Sequence, residues 1–233
     1  MRTTVRRLRE AGPTISVGML SADLLRLGED LGLLAQAGGS LVHIDVMDGV
    51  FCPQFTLGPP VIKAIPDSFT KDCHLMITEP LDKVQSYLEA GADIITCHVE
   101  STIHPHRVLQ SLAGSGVIRG IALNPGTPLE VIEPLLDEVE LVFLLAVNPG
   151  WGGQKFLPGT KARLARAKQI IGDREILLEV DGGITRANID HVATLGADLI
   201  VSGSAIYDGK APLDNARFMF EAVRKATQRG AGT

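Results

Sequence analysis

One unit repeats along the whole chain: a short apolar run followed by a helix-like stretch. Candidate strands are Ile15–Leu20, Ser40–Val46, Lys71–Met76, Asp93–His98, Val117–Leu123, Leu141–Val147, Glu175–Asp181 and Leu199–Gly203. Most are continuous apolar runs rather than alternating ones, the pattern of strands buried on both faces of a parallel sheet. Helical patterns fall between them, at Ala22–Ala37 after a possible Ser21 cap, Leu81–Ala90, Pro105–Ala113, Pro128–Leu136, Gly159–Ile171, Arg186–Leu195 and about Leu213–Thr227. Ala90-Gly91-Ala92-Asp93 and Leu195-Gly196-Ala197-Asp198 are near copies, each just before a strand, and read as a recurring helix-to-strand turn on a left-handed glycine. Eight such units predict an α/β protein, one closed TIM (β/α)8 barrel over residues 13–233, with residues 1–12 as an N-terminal extension. An open doubly wound sheet would need a glycine fingerprint after the first strand, and Gly18-Met19-Leu20-Ser21 is not one.

Composition narrows the function. With 233 residues, 45% of them hydrophobic, the chain can fill one large core. A net charge of −5 gives no footprint for nucleic acid. The one basic cluster, Arg2, Arg6, Arg7 and Arg9, reads as a surface extension, since it lacks the apolar stretch of a targeting peptide. No apolar run reaches ~18 residues, so no membrane span is expected. Cys52, Cys73 and Cys97 are too few and too scattered for a disulfide framework, which suggests a reducing, cytoplasmic setting.

In a TIM barrel, function gathers at the C-terminal ends of the strands. His43 and Asp45 are two apart on one predicted strand and point the same way. His74 stands near the end of the next strand, and Asp181 ends one across the barrel. Two imidazoles and two carboxylates could converge on one divalent cation, and mixed N/O ligation suits Zn²⁺, Fe²⁺, Mn²⁺ or Co²⁺ alike. The alternative is four separately satisfied polar residues. For His98, alone on its apolar strand, a hydrogen-bonded core position is the better reading.

Glycine loops form a second constellation: Gly150, Trp151, Gly152 and Gly153 after the sixth strand, Gly182 and Gly183 after the seventh, Gly203 and Ser204 after the eighth. Each alone could be a tight turn. Adjacent in barrel order, they suggest a phosphate cradle of backbone N–H groups. Pro149–Phe156 also has the composition of a lid, with glycine hinges and Trp151 to exclude water.

These motifs resemble the ribulose-phosphate 3-epimerase family over nearly all of residues 15–225. The resemblance rests on His43–Gly49 with Phe51 and Pro53, His74-Leu75-Met76, Ala90–Thr96, Leu123–Pro128, Val147–Gln154 with Phe156 and Pro158, Glu179–Ile184 and Ser202–Ile206. It implies a barrel of the ribulose-phosphate-binding type that interconverts D-ribulose 5-phosphate and D-xylulose 5-phosphate, in a homo-oligomer of the pentose phosphate pathway. It also implies one divalent metal on His43, Asp45, His74 and Asp181. Asp45 and Asp181 would exchange protons with opposite faces of an enediolate. His74 and the glycine loops would hold the substrate, and Met47 and Met76 would line the site, unless they are ordinary core methionines.

The departures from the family pattern spare the metal and acid/base set. Gly18 stands where the family has a serine that contacts substrate, and Val50, Cys52, Gln54, Leu145, Ala146 and Trp151 also differ. The reaction type is therefore better marked than the sugar. Allulose 6-phosphate, a tetrulose phosphate or a branched ketose phosphate are alternatives, as is a non-catalytic sugar-phosphate binder. A Schiff-base aldolase would need a lysine inside the barrel, and the lysines fall in helices, loops or strand starts.

Overall fold

The computed structural model describes residues 2–230. Eight parallel strands close a barrel in chain order: β1 (Thr14–Gly18), β2 (Leu41–Met47), β3 (Thr70–Met76), β4 (Ile94–His98), β5 (Ile118–Leu123), β6 (Leu141–Leu145), β7 (Leu177–Asp181) and β8 (Leu199–Ser202). Around it lie α1 (Arg2–Glu10), α2 (Leu27–Gln36), α3 (Pro59–Ala64), α4 (Val84–Glu89), α5 (Pro105–Ser111), α6 (Thr160–Ile171), α7 (Ile189–Val192) and α8 (Pro212–Gly230). All eight expected strands are present. Gly91 and Gly196, the glycines of the near-copied turns, have φ of +86° and +89°, the left-handed conformation that the repeat predicted.

Alternation along each strand separates two cores. Val42, Ile44 and Val46 of β2 face the helices, in the large core shared with Leu164 of α6 and Met219 of α8. Leu41, one residue out of phase, faces the barrel interior with Ile94, Ile118, Leu141, Phe143, Leu177 and Leu199. His43 and Asp45 share that inward face. The register sets His43 beside Asp72 and Asp45 beside His74. The interior thus runs from an apolar floor to a charged upper layer.

The N-terminal segment corrects the sequence reading. It is not a free surface extension: Val5 and Leu8 are buried in the same cluster as the barrel floor. They lie three apart and so share one helix face, while Arg6, Arg7 and Arg9 stay exposed on the other. The arginines drew attention to charge, but the i, i+3 apolar pair is what places the helix. Burying each of these side chains stabilises the fold by about 1.5–3 kcal/mol.

Helix details differ where local chemistry overrides the pattern. The first crossover opens with a 3₁₀ turn at Met19–Ser21, so Ser21 caps no helix, and a second turn at Leu24–Arg26 is capped by Asp23, which accepts from Leu25 N–H at 3.0 Å. The stretch after Thr127 is a 3₁₀ helix, Leu129–Leu135, because Pro134 has no N–H to continue an α-helix. The short α3, begun by Pro59 and Pro60 at its first two positions, was not anticipated.

Candidate active site

A cavity of about 500 Å³ opens at the C-terminal end of the barrel. Asp45, Met47, His74, Met76, Gly150, Trp151, Gly152, Gly153, Asp181, Gly182, Gly183, Gly203 and Ser204 all line it. His43 does not, because it is sealed one layer below with no exposed surface. Phe143 packs edge-on to the rings of His43 and His74, with centroids 5.5 and 4.6 Å away, and closes the site from beneath.

His43, Asp45 and His74 converge, their ligand-type atoms all within 4.8 Å of one another. Asp45 Oδ1 lies 3.0 Å from His74 Nδ1 and 3.4 Å from His43 Nε2. Asp181 stands outside this tight group, at the end of β7 on the wall of the same cavity.

His43 Nδ1 is 2.6 Å from Asp72 Oδ2, which also accepts from the Ser16 hydroxyl at 2.9 Å. Asp72, although burial opposes its charge, is held below the usual carboxylate range by His43. An ionised carboxylate only accepts, so His43 Nδ1 carries the hydrogen. That leaves His43 Nε2 turned toward Asp45, buried and without a hydrogen-bond partner. A buried orphan nitrogen beside a carboxylate fits a cation ligand. The field points the same way. Burial favours neutral His43, but Asp72 and Asp45 outweigh it and hold its pKa well above the ordinary value. The pocket draws positive charge to this point.

The two rim carboxylates differ. Burial pushes Asp45 up, but His43 and His74 overcome it and hold Asp45 well below the usual range. For Asp181, His43 and the Gly182 N–H favour the charged form but are outweighed. Burial, then the charge of Asp45, pushes it up to about 7. His74 is pushed down to about 4, chiefly by burial, against the pull of Asp45. On its far side His74 Nε2 lies 2.8 Å from His98 Nε2, and His98 Nδ1 lies 3.0 Å from Glu100 Oε2. His98 is thus a hydrogen-bonded core residue, as its apolar strand suggested.

The glycine loops meet at the opposite rim. Gly183, at φ +66°, has Phe156 N only 2.2 Å from where a Cβ would sit, so any side chain there would displace the Pro149–Phe156 loop. Gln154 ties that loop to itself, donating to the carbonyls of Asn148 at 2.6 Å and Trp151 at 3.0 Å. After β8, Gly203 O accepts from Ile206 and Tyr207, a helical turn whose first N–H groups have no acceptor within it. Thr185 and Asn188, which sequence reasoning missed, also line this side. Asn188 donates to Gly183 O at 2.9 Å and fixes the turn.

Asp72 and Glu179 were missed as functional residues too. Each lies two residues before a named one on the same strand, so the period of two that paired His43 with Asp45 also marked them. Glu179, fully buried, is raised well above the carboxylate range by burial and by the charge of Asp72. The buried lysine of β3, Lys71, pairs with Asp67 at 3.0 Å at the strand's start, far from the cavity end.

The sequence pattern of the Ribulose-phosphate 3 epimerase family matches residues 14–207. The chain belongs to the ribulose-phosphate 3-epimerase family. It is 41% identical over 198 residues to the ribulose-phosphate 3-epimerase of Rhodobacter capsulatus, covering 84% of this chain and 86% of that one. It is 42% identical over 200 residues to the enzyme of the same name from Escherichia coli strain K12, covering 83% and 88%. In fold it is similar to 3-hexulose-6-phosphate synthase from Salmonella typhimurium, with a TM-score of 0.67 at 19% identity over 91% of this chain and 99% of that one. At that identity the likeness concerns the barrel alone. The protein is accordingly an epimerase of the ribulose-phosphate 3-epimerase class, and no helix of the described residues is long and apolar enough to cross a membrane.

Proposed function

We propose that this epimerase interconverts D-ribulose 5-phosphate and D-xylulose 5-phosphate, one of Asp45 and Asp181 taking the C3 proton and the other delivering a proton to the opposite face. The observation that carries the reading is the unequal pair itself. Two carboxylates on β2 and β7 line one cavity, one kept ionised by imidazoles and the other raised to about 7. A base and an acid at neutral pH are what an inversion needs, since one group cannot serve both faces of a planar intermediate. In the ribulose direction, the ionised Asp takes the C3 proton. The protonated Asp gives its own proton to the opposite face, and the pair exchanges protonation states.

His43, Asp45 and His74, with Asp181 from across the cavity, would hold one divalent cation, Zn²⁺, Fe²⁺, Mn²⁺ or Co²⁺. When bound, it would offset the negative charge that develops on the substrate oxygens during proton removal. To hold the cation, His43 would give up the proton that it otherwise retains. The phosphate would rest on backbone N–H groups at Gly182-Gly183 and Gly203-Ser204. The Gly150–Gly153 stretch with Trp151 would close over the sugar, and Met47 and Met76 would keep water from the reacting carbon.

Gly18 bears on the sugar. A Cβ at this position would sit 3.3 Å from Gly203 Cα, so the strand ends here approach more closely than the family serine easily allows. The names of the relatives favour ribulose 5-phosphate as the substrate. All three cysteines are free and buried, which supports a reducing cytoplasmic setting. Exposed Leu25 and Phe55 offer apolar surface for a homo-oligomer.

The test is C3 epimerisation of pentulose, hexulose and tetrulose phosphates after metal removal and reloading with each of the four cations. Ribulose 5-phosphate is expected to turn over fastest. A clear preference for another ketose phosphate would reassign the substrate and leave the reaction type intact.

A further inference from the structure

We propose that Asn188 is a positioning residue for the substrate's phosphate: it holds the turn after β7 so that the Gly183 and Ile184 N–H groups, and not the carbonyls, are free to meet the anion. The inference rests on the reading of the glycine loops as the phosphate seat, and it adds a side chain to that seat. Asn188, half-buried at the start of α7, lines the cavity beside Gly183, Ile184 and Thr185. Its side-chain amide grips the turn at both ends. Nδ2 donates to Gly183 O at 2.9 Å. Oδ1 accepts from Thr185 N–H at 2.7 Å. Exchanging the two atoms would set donor against donor and oxygen against oxygen, so the amide has one orientation.

This grip sorts the dipoles of the turn. In a planar trans peptide the C=O and N–H point opposite ways. With Gly183 O held by Asn188, the Ile184 N–H of the same peptide faces away from that side chain. The next peptide is fixed at both ends. Ile184 O accepts from the buried Ser202 hydroxyl of β8 at 3.2 Å, and Thr185 N–H is taken by Asn188. What stays unpaired among the described residues is a run of two donors, Gly183 N–H and Ile184 N–H. Successive free N–H groups form an anion-binding concavity. No backbone N–H donates to Gly183 O, so Asn188 alone holds it. Gly183, at φ +66°, allows the peptide that follows it more than one orientation. Without Asn188 that carbonyl is free to turn, and a phosphate oxygen would then meet an oxygen in place of a donor.

Asn188→Leu, close in size but unable to make either hydrogen bond, tests this in the Zn²⁺-loaded enzyme. KM for ribulose 5-phosphate and the inhibition constant of inorganic phosphate should rise together, each by about 10-fold. The change should fall on KM, with kcat within about twofold of wild type, because the phosphate is held alike in ground and transition states. A merely structural role would show the reverse, since a partly unfolded enzyme loses kcat and keeps its KM. A second measurement needs no variant to fold. Inorganic phosphate titrated into the wild type should shift the ¹H–¹⁵N signals of the Gly183 and Ile184 amides farther than the side-chain NH₂ of Asn188. A larger response at the Asn188 NH₂ would make it a direct ligand and overturn the proposal. So would unchanged KM and phosphate inhibition in a folded Asn188→Leu, with the phosphate seat left standing. A wild type that inorganic phosphate neither inhibits nor shifts at these loops would remove the seat and the proposal together.

Discussion

Asp45 and Asp181 are the same side chain on the wall of one cavity, yet they behave differently. Asp45, at the end of β2, sits between two imidazoles and stays ionised although it is buried. Asp181, at the end of β7, is raised by burial and by the negative charge of Asp45, which outweigh the opposing pull of His43 and of the Gly182 N–H, and it holds a proton to about pH 7. The difference comes from the strands beside them. β3 brings His74 to Asp45, and the inward period of β2 brings His43. The neighbours of β7 end in Leu145 and Ser202, which offer no positive charge. Position in the barrel, more than residue type, divides the work between the two.

Breaking each side should give unequal effects. Asp45→Asn removes a proton-transfer group and a point of convergence of both histidines, so turnover should fall by roughly 10⁴-fold and divalent-ion affinity with it. Asp181→Asn should lower turnover by about 10²- to 10⁴-fold while retaining more of the ion affinity. Equal losses of affinity, measured by chelator competition, would mean that the two carboxylates are not distinguished as described. Chelation of the wild type should cost on the order of 10³-fold in rate, reversed by adding back a divalent ion. Asp72→Asn, which acts on His43 alone, should weaken ion binding by about 10- to 100-fold. It should also abolish part of the rise in affinity with pH that a high-pKa His43 imposes on the metal-free site.

The smallest effect is on stability. Asp181 has an ordinary pKa of 3.8 and is held at about 7 in the folded chain. Between those values the folded protein binds a proton that the unfolded chain does not. The metal-free protein should therefore lose stability as pH rises from about 4 to 7, with this contribution exhausted above it. Denaturant unfolding of Asp181→Asn across that range should show a shallower slope. An unchanged slope would place the titration elsewhere.

Much of this comparison was legible in the sequence, for physical reasons. The apolar strands announced a parallel barrel because both faces of each are covered. The spacing of His43 and Asp45 put them on one face because strands have a period of two. What was hidden depended on neighbours across strands. His43 opposite Asp72, and His74 against His98, follow from register across strands, which no local pattern states. The N-terminal helix was misread because four arginines outweighed Val5 and Leu8. The 3₁₀ stretch at Leu129–Leu135 was carried as a helix because Pro134 was not weighed. The unequal protonation of the two Asp residues could not be read at all without the imidazoles in place.

The most direct test of the two-carboxylate account is solvent exchange at C3 in D₂O with Asp181→Asn, loaded with a divalent ion. Wild type should place deuterium at C3 of both ribulose 5-phosphate and xylulose 5-phosphate. With Asp45 as the only remaining base, the variant should exchange the C3 proton of one epimer alone, on one face and without inversion. Exchange of both epimers by the variant, or their interconversion at the wild-type rate, would contradict it.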